Sequence, residues 1–303
     1  MNVIVSGRLI DAVTHQSVTS AELSLTRHGI LGEARTHVNE DGKFVFNSTS
    51  GQHCLGIHDD HYAPLYLTLE EEQPADDLQI PLIRAAFLKG RILDEEGRTP
   101  YRCHFTLIRE GTRRGQSGYL SDSGDHQVAR DGVFSSPPLH PGRYFLRFAG
   151  ILQKATTSID VQSTRAITQD RIFDFVYPDV QEISEAMSFD LQPGQTISNL
   201  EVRISQPVWY NIRGRLTGDL PEPLSGVYVL FGHNVGMLDD FGFLGHPVNQ
   251  DGTFEGHAQP GRLKLFVNRL TSTPAGYKHA KEQFANVEVR VGDCDVENLE
   301  IHI

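Results

Sequence analysis

The sequence predicts an all-β protein made of three tandem β-sandwich domains. Short runs rich in β-branched and aromatic residues, bounded by Gly, Pro, Asp and Asn, are typical of strands. One set of turn and strand signals also recurs three times in the same order. No segment has a sustained helical period, and only residues 180–189, VQEISEAMSF, have the pattern of a short helical turn.

The most specific of the recurring signals is the pattern Asp-Gly-x-Phe. Asp-Gly supplies the positive φ of a tight turn and is the strongest short-range signal for a hairpin. We therefore expect a hairpin at each copy, with the Phe side chain in the core. The copies begin at Asp41-Gly42, Asp131-Gly132 and Asp251-Gly252.

Two further signals flank each copy, and together they divide the chain. A Gly-Arg pair inside an apolar alternation precedes it, at Gly7, Gly90 and Gly214. A second glycine follows it, predicting another turn before a strand, at Gly51, Gly142 and Gly261. Each unit then closes on an alternating strand. The predicted domains are residues 1–84, 85–206 (the longest, with extended connections) and 207–303, and we expect the third to be complete at its C-terminus.

The order of these motifs resembles that of the carboxypeptidase regulatory-like domain, a transthyretin-like and Ig-like Greek-key β-sandwich. The middle unit is the most similar, with DEEGRTPYRCHFTLIR and RDGVFSSPPLHPGRYFLRF. The first unit lacks the Pro and Tyr of PGxYxLxF, and the third has Leu263 where Tyr is usual. The resemblance covers nearly the whole chain and implies a tandem-repeat bacterial protein at the cell envelope or outside it.

Composition excludes several classes of function. A net charge of −12 disfavours nucleic acid and anionic membrane surfaces, and no apolar run is long enough for membrane insertion. No signal peptide is visible in MNVIVSGRLI, so the extracytoplasmic location rests on the resemblance and a cytoplasmic one stays open. The three cysteines form neither a disulfide framework nor a zinc pair, and we expect Cys54 and Cys103 to be buried.

A polar stretch at residues 56–64, GIHDDHYAP, has two interpretations. A metal site needs three or four converging ligands, whereas neighbouring residues in a turn diverge. We therefore favour a solvated turn between strands. The alternative is a weak ion site at His58 and His61, with His53 nearby.

Candidate binding residues are aromatic. The apolar stretch at residues 233–246 carries Phe241 and Phe243 and is the best candidate for a recognition loop. Trp209 and Tyr210 are candidate platforms for a sugar, as is Tyr119; the alternative is that Trp209 and Tyr210 fill the join between the second and third domains.

No catalytic or cofactor motif is present, so we expect neither enzyme activity nor a cofactor. In the enzymes that give the resembling domain its name, the sandwich is an accessory to a separate catalytic domain.

The joins between the predicted domains are short and lack Gly/Ser runs, which is not typical of flexible linkers. We therefore expect a semi-rigid rod about 100 Å long, since a strand of about ten residues spans about 33 Å. Such a rod would space or present partners, with a protein or a glycan as the partner and the oligomeric state open. The alternatives are a carbohydrate-binding module and an accessory part of an enzyme.

Overall fold

The computed structural model describes residues 2–28, 33–70, 75–113, 115–152, 172–206, 208–232, 244–272 and 278–303. The described chain consists of β-strands and one short 3-10 turn at Ile183–Glu185, and it contains no α-helix. The predicted all-β fold class is confirmed, and the 3-10 turn lies inside the segment for which a helical turn was predicted.

The strands follow the three predicted repeats. The first set is β1 (Asn2–Asp11), β2 (Glu22–Arg27), β3 (Glu33–His37), β4 (Lys43–Thr49), β5 (His53–His58), β6 (Leu65–Leu69) and β7 (Leu78–Leu82). The second set is β8 (Phe87–Asp94), β9 (Arg102–Arg113), β10 (Gln116–Gln127), β11 (Val133–Ser135), β12 (Gly142–Ile151), β13 (Ile172–Val176), β14 (Phe189–Leu191) and β15 (Thr196–Ile204). The third set is β16 (Tyr210–Thr217), β17 (Val227–Gly232), β18 (Leu244–Pro247), β19 (Thr253–Ala258), β20 (Gly261–Ser272), β21 (Lys278–Val291) and β22 (Val296–His302).

Each set forms a three-stranded sheet and a larger sheet. The smaller sheets have the orders β4-β1-β7, β11-β8-β15 and β19-β16-β22, so the first strand of every repeat is central. In the first and third repeats this strand is antiparallel to the strand after the Asp-Gly turn and parallel to the last strand. The larger sheets have the orders β3-β2-β5-β6, β10-β9-β12-β13 (with β14 paired to β12) and β18-β17-β20-β21.

The hydrophobic cores lie between the paired sheets. In the first repeat, Leu9 and Phe44 from the smaller sheet belong to the same buried cluster as Leu23 and Leu55 from the larger sheet. The third repeat has an equivalent cluster that draws on both of its sheets. Two sheets packed face to face over alternating inward side chains are a β-sandwich.

The Asp-Gly turns are present, but the hairpins predicted from them are wrong. Strand β3 pairs with β2, whereas β4, on the other side of the turn, pairs with β1. The turn therefore carries the chain from one sheet to the other. The positive φ is confirmed at Gly42 (76°), Gly132 (83°) and Gly252 (82°). The Phe after each turn is buried as predicted, at Phe44, Phe134 and Phe254.

The contacts of each Asp-Gly turn explain the Gly-Arg motif. The Leu9 amide donates to the Gly42 carbonyl at 2.9 Å, and Arg8 Nε donates to the Asp41 carbonyl at 3.0 Å. The second repeat has both bonds, from Ile92 and Arg91 to the Gly132 and Asp131 carbonyls. The glycine of the pair allows the last strand to approach, because a Cβ on Gly7 would lie 2.3 Å from the Leu78 carbonyl oxygen.

The second glycine of each repeat also adopts a positive φ, at Gly51 (140°), Gly142 (151°) and Gly261 (127°). Burial of Cys103 is confirmed, and burial raises the pKa of its thiol to about 12. The prediction for Cys54 is wrong: this side chain is exposed, because Leu55 and Ile57 take the inward positions of β5.

The chain forms two compact units, one of residues 1–90, 134–143 and 189–200, and one of residues 91–133, 144–188 and 201–303. The first unit contains the first repeat with part of the second. The second unit contains the third repeat with the rest of the second. The division into three domains at residues 84 and 206 stays a prediction.

Candidate functional site

The turn HDDHY lies beside the join between the first and second repeats. It connects β5 to β6 and pairs with the segment that follows β7. The Ala63 amide donates to the Ile83 carbonyl at 2.9 Å, and the Ala85 amide donates to the His61 carbonyl at 2.8 Å. The linker is therefore held against the first repeat by backbone hydrogen bonds.

Asp11 is the centre of this arrangement. Its carboxylate is 2% exposed and follows the buried positions Val5, Gly7 and Leu9 along β1. One oxygen accepts from the Val13 and Thr14 amides, at 2.9 and 2.8 Å. A buried carboxylate is stable only when it is hydrogen-bonded and paired with a positive charge. The two amides supply hydrogen bonds to one of its two oxygens.

The second oxygen of Asp11 binds both partners at the joint. Tyr62 Oη donates to it at 2.9 Å, and Arg84 Nε donates to it at 2.8 Å. The pKa of Asp11 is therefore far below its ordinary value, first because of the Thr14 amide and next because of Arg84. The pKa of Tyr62 is raised, mainly by burial and then by its bond to Asp11.

The same linker is bonded to the second repeat on its other side. The Ala86 and Leu139 backbones exchange hydrogen bonds at 2.9 and 3.0 Å. The Phe87 amide donates to the Gln195 carbonyl at 2.9 Å. A side-chain bond joins His140 Nε2 to the Pro64 carbonyl at 2.7 Å. All of these residues belong to the first compact unit. Residues 83–87 thus act as an ordered joint, with no free length between the two repeats.

An ion pair is described between the second and third repeats. A segment specific to the second repeat, residues 177–187, covers a small apolar cluster that includes Phe145 and Ile183. From this segment Glu182 accepts a bond from Arg262 Nε at 2.9 Å. The Arg262 side chain is 44% exposed, and ion pairs at exposed positions contribute only about 0–1 kcal/mol.

The histidines of the candidate ion site each have contacts of their own. His53 is buried and bonded to Ser48 Oγ at 2.8 Å, and the His58 ring packs edge-on against Tyr66. Asp59 accepts bonds from Ser20 Oγ and the His61 amide, which fixes the turn. Over the described ranges, no group of three or more His, Cys, Asp or Glu side chains is placed to hold a metal ion.

The aromatic candidates that the structure describes are only partly accessible. Trp209 is partly buried, and its Nε1 is buried without a hydrogen-bond partner among the described residues. Tyr210 packs against the core of the third repeat. Phe241 and Phe243 lie outside the described residues. Tyr119 packs edge-on against Phe145 on the second repeat.

Sequence reasoning did not single out Asp11, Arg84 or His140. The signal for Asp11 was present, because a carboxylate at an inward-facing position of an alternating strand needs a partner. Arg84 stands 73 residues away and His140 binds a carbonyl 76 residues away, so no local pattern connects them. In the part of the chain that the structure describes, no helix has the length and apolar character needed to cross a membrane.

No protein-family model matches the chain, and no curated protein matches it. Several solved structures are similar to it. The TIE protein of Bacillus anthracis has 11% identity and a TM-score of 0.22, over 99% of this chain and 51% of that chain. The present chain therefore spans about half the length of that protein.

Two pilins are also similar. A streptococcal ancillary pilin has 11% identity and a TM-score of 0.26, over 99% of each chain. The minor pilin GBS52 of Streptococcus agalactiae has 10% identity and a TM-score of 0.28, over 73% of this chain and 99% of that chain. At these TM-scores the similarities carry no argument about what this chain does.

Proposed function

We propose that the chain is a non-catalytic structural and interaction protein. In this proposal, carboxypeptidase regulatory-like sandwich modules form a semi-rigid rod that spaces or presents partners at the bacterial cell envelope or outside it. The observation that carries the proposal is the joint at residues 83–87, which is hydrogen-bonded to both repeats it connects.

The physical argument is that a linker transmits orientation only when its own backbone is fixed. A free linker samples many conformations, and each fixed residue costs about 1–2 kcal/mol of conformational entropy. The hydrogen bonds donated by the Ala63, Ala85 and Ala86 amides, and the ion pair of exposed Arg84 with the buried Asp11 carboxylate, offset that cost. A linker that served only to connect the two repeats would not need these hydrogen bonds and this ion pair.

The two joints differ in a way that refines the proposal. The described contacts of the first include a buried carboxylate and several backbone hydrogen bonds, and those of the second include a partly exposed ion pair. We therefore expect opening of the first joint to cost more free energy than breaking that ion pair.

Small-angle scattering with in-line light scattering on the full chain tests the rod. The proposal expects a maximum dimension of about 100 Å for a monomer, from three sandwiches of about 33 Å each. A monomer much shorter than this would mean that the repeats fold back on one another, and it would contradict the spacer function. Saturable turnover of a substrate, removed by a point substitution, would contradict the non-catalytic part.

A further inference from the structure

An open groove lies on the third repeat. Its walls are the connection between β16 and β17, at residues 220–228, and the end of β18 with the turn that follows, at residues 247–250. The groove has a volume of about 680 Å³. This is within the range of sites that bind small molecules, which are about 300–1,000 Å³.

The lining combines apolar rings with polar groups, among them the Glu222 carboxylate. Pro223 and Pro247 contribute apolar surface, as does the half-buried ring of Tyr228. Asn249 and Gln250 contribute exposed side-chain amides at the rim. No Lys, Arg or His is among the described residues that line the groove, and the Glu222 carboxylate there would repel an anionic ligand.

The wall at residues 220–228 distinguishes the third repeat from the other two. Its connection after the first strand reads GDLPEPLSG, with two leucines and two prolines. The equivalent connections are the mostly polar AVTHQSVTSA in the first repeat and EEGRTPY in the second. Leu220 and Leu224 pack against the core of the third repeat, whereas Pro223 is exposed in the wall.

A buried amide adjoins the groove. Tyr228 pairs across the sheet with Pro247 on one side and Asn268 on the other, so all three lie in one row. Asn268 is 7% exposed, and its Oδ1 has no hydrogen-bond partner among the described residues. A buried acceptor without a partner is destabilising, which makes this amide unusual unless a further group approaches it.

We propose that this groove binds a neutral saccharide. The apolar face of a sugar ring packs on an aromatic ring and on proline, while its hydroxyl groups exchange hydrogen bonds with amides, which both donate and accept. The lining provides both kinds of contact and no positive charge. A proline-rich peptide is the competing ligand, but such peptides dock in grooves lined by several aromatic rings, and Tyr228 is the single aromatic residue here.

Isothermal titration calorimetry of the full chain tests the proposal. The probes are cellotetraose, xylotetraose, mannotetraose and maltotetraose, with decaproline as the peptide probe. We expect at least one tetrasaccharide to bind with a Kd of about 1 mM or tighter, and Tyr228→Ala to weaken it about tenfold or more. Tyr228→Phe keeps the ring and should stay within about threefold of wild type.

A matched pair of exposed turn residues provides the control. Gln250 lines the groove, and Glu40 occupies the same position of the Asp-Gly turn in the first repeat. Gln250→Ala should weaken binding about threefold, and Glu40→Ala should leave it unchanged. Because both side chains are exposed, neither substitution should affect folding, so this pair decides the outcome if Tyr228→Ala lowers stability.

Three results would overturn the proposal. One is the absence of heat with every tetrasaccharide at millimolar concentration. Another is saccharide binding that Gln250→Ala and a folded Tyr228→Ala leave unchanged. The third is binding of decaproline in place of the sugars, which would assign the groove to a peptide.

Discussion

Replacing Asp11 by alanine should loosen the first joint more than any other single truncation there. The carboxylate accepts bonds from two backbone amides within the first repeat and from Tyr62 and Arg84 at the joint. Removing it leaves the half-buried Tyr62 hydroxyl without an acceptor, whereas the Arg84 side chain is 54% exposed and regains water. Hydrogen bonds to a charged group contribute about 1.5–3 kcal/mol, and we expect Asp11→Ala to cost an amount in that range.

Hydrogen exchange at the amides of Ala63 and Ala85 reports directly on the joint. Both donate to carbonyls across it, to Ile83 and His61. A local loss of about 3 kcal/mol corresponds to about a hundredfold faster exchange for amides that exchange through opening of the joint. Urea denaturation measures the accompanying loss of global stability.

The second repeat provides a matched control at Asp94. This residue ends the equivalent strand and is also buried, but it binds the amide and Nε of Arg98 and not the linker. Asp94→Ala should destabilise the chain while leaving exchange at Ala63 and Ala85 unchanged. Equal acceleration by both substitutions, or no acceleration by Asp11→Ala, would refute the role assigned to Asp11.

Two further predictions concern pH and packing. Burial, with a smaller contribution from His257, lowers the pKa of His246 to about 4 from 6.5 in the unfolded chain. The unfolded state therefore binds the proton more readily than the folded state. The free energy of unfolding should decrease as the pH is lowered from 6.5 to 4, by up to about 3 kcal/mol. His246→Phe should reduce the difference between the urea midpoints measured at pH 7 and at pH 5. An unchanged difference would contradict the assignment of this pH dependence to His246. Gly7→Ala should cost about 1–3 kcal/mol, because its Cβ meets the Leu78 carbonyl oxygen at 2.3 Å. Gly124→Ala, which meets nothing within 4 Å, is the control, and an equal loss there would refute the packing argument.

The features that the sequence predicted are local ones. A period of two residues marks a strand, and Asp-Gly marks a turn, because each follows from the conformations of a few adjacent residues. The recurrence of the same signals in the same order then identified the repeat, and the buried Phe44, Phe134 and Phe254 agree with it. These signals were enough for the fold class and for the three buried Phe side chains, but not for β5, where Cys54 faces outward.

The features that the sequence did not predict depend on pairing between distant strands. The turn at Gly42 joins strands of different sheets, and its local conformation is the same as that expected within a hairpin. The joint depends on a bond from Arg84 to Asp11, which are 73 residues apart. Only the burial pattern of β1, in which Asp11 follows Leu9 on the inward face, could have pointed to it.

Residual dipolar couplings of the full chain test the central claim most directly, namely that the first joint fixes the orientation of the repeats it connects. Amides of residues 2–82 and of residues 87–90, 134–143 and 189–200, which all belong to the first compact unit, would be fitted separately for their alignment. The account predicts that a single alignment tensor, with equal magnitude, describes both sets. Tensors of different magnitude would mean that the two repeats reorient independently, and they would contradict the semi-rigid rod.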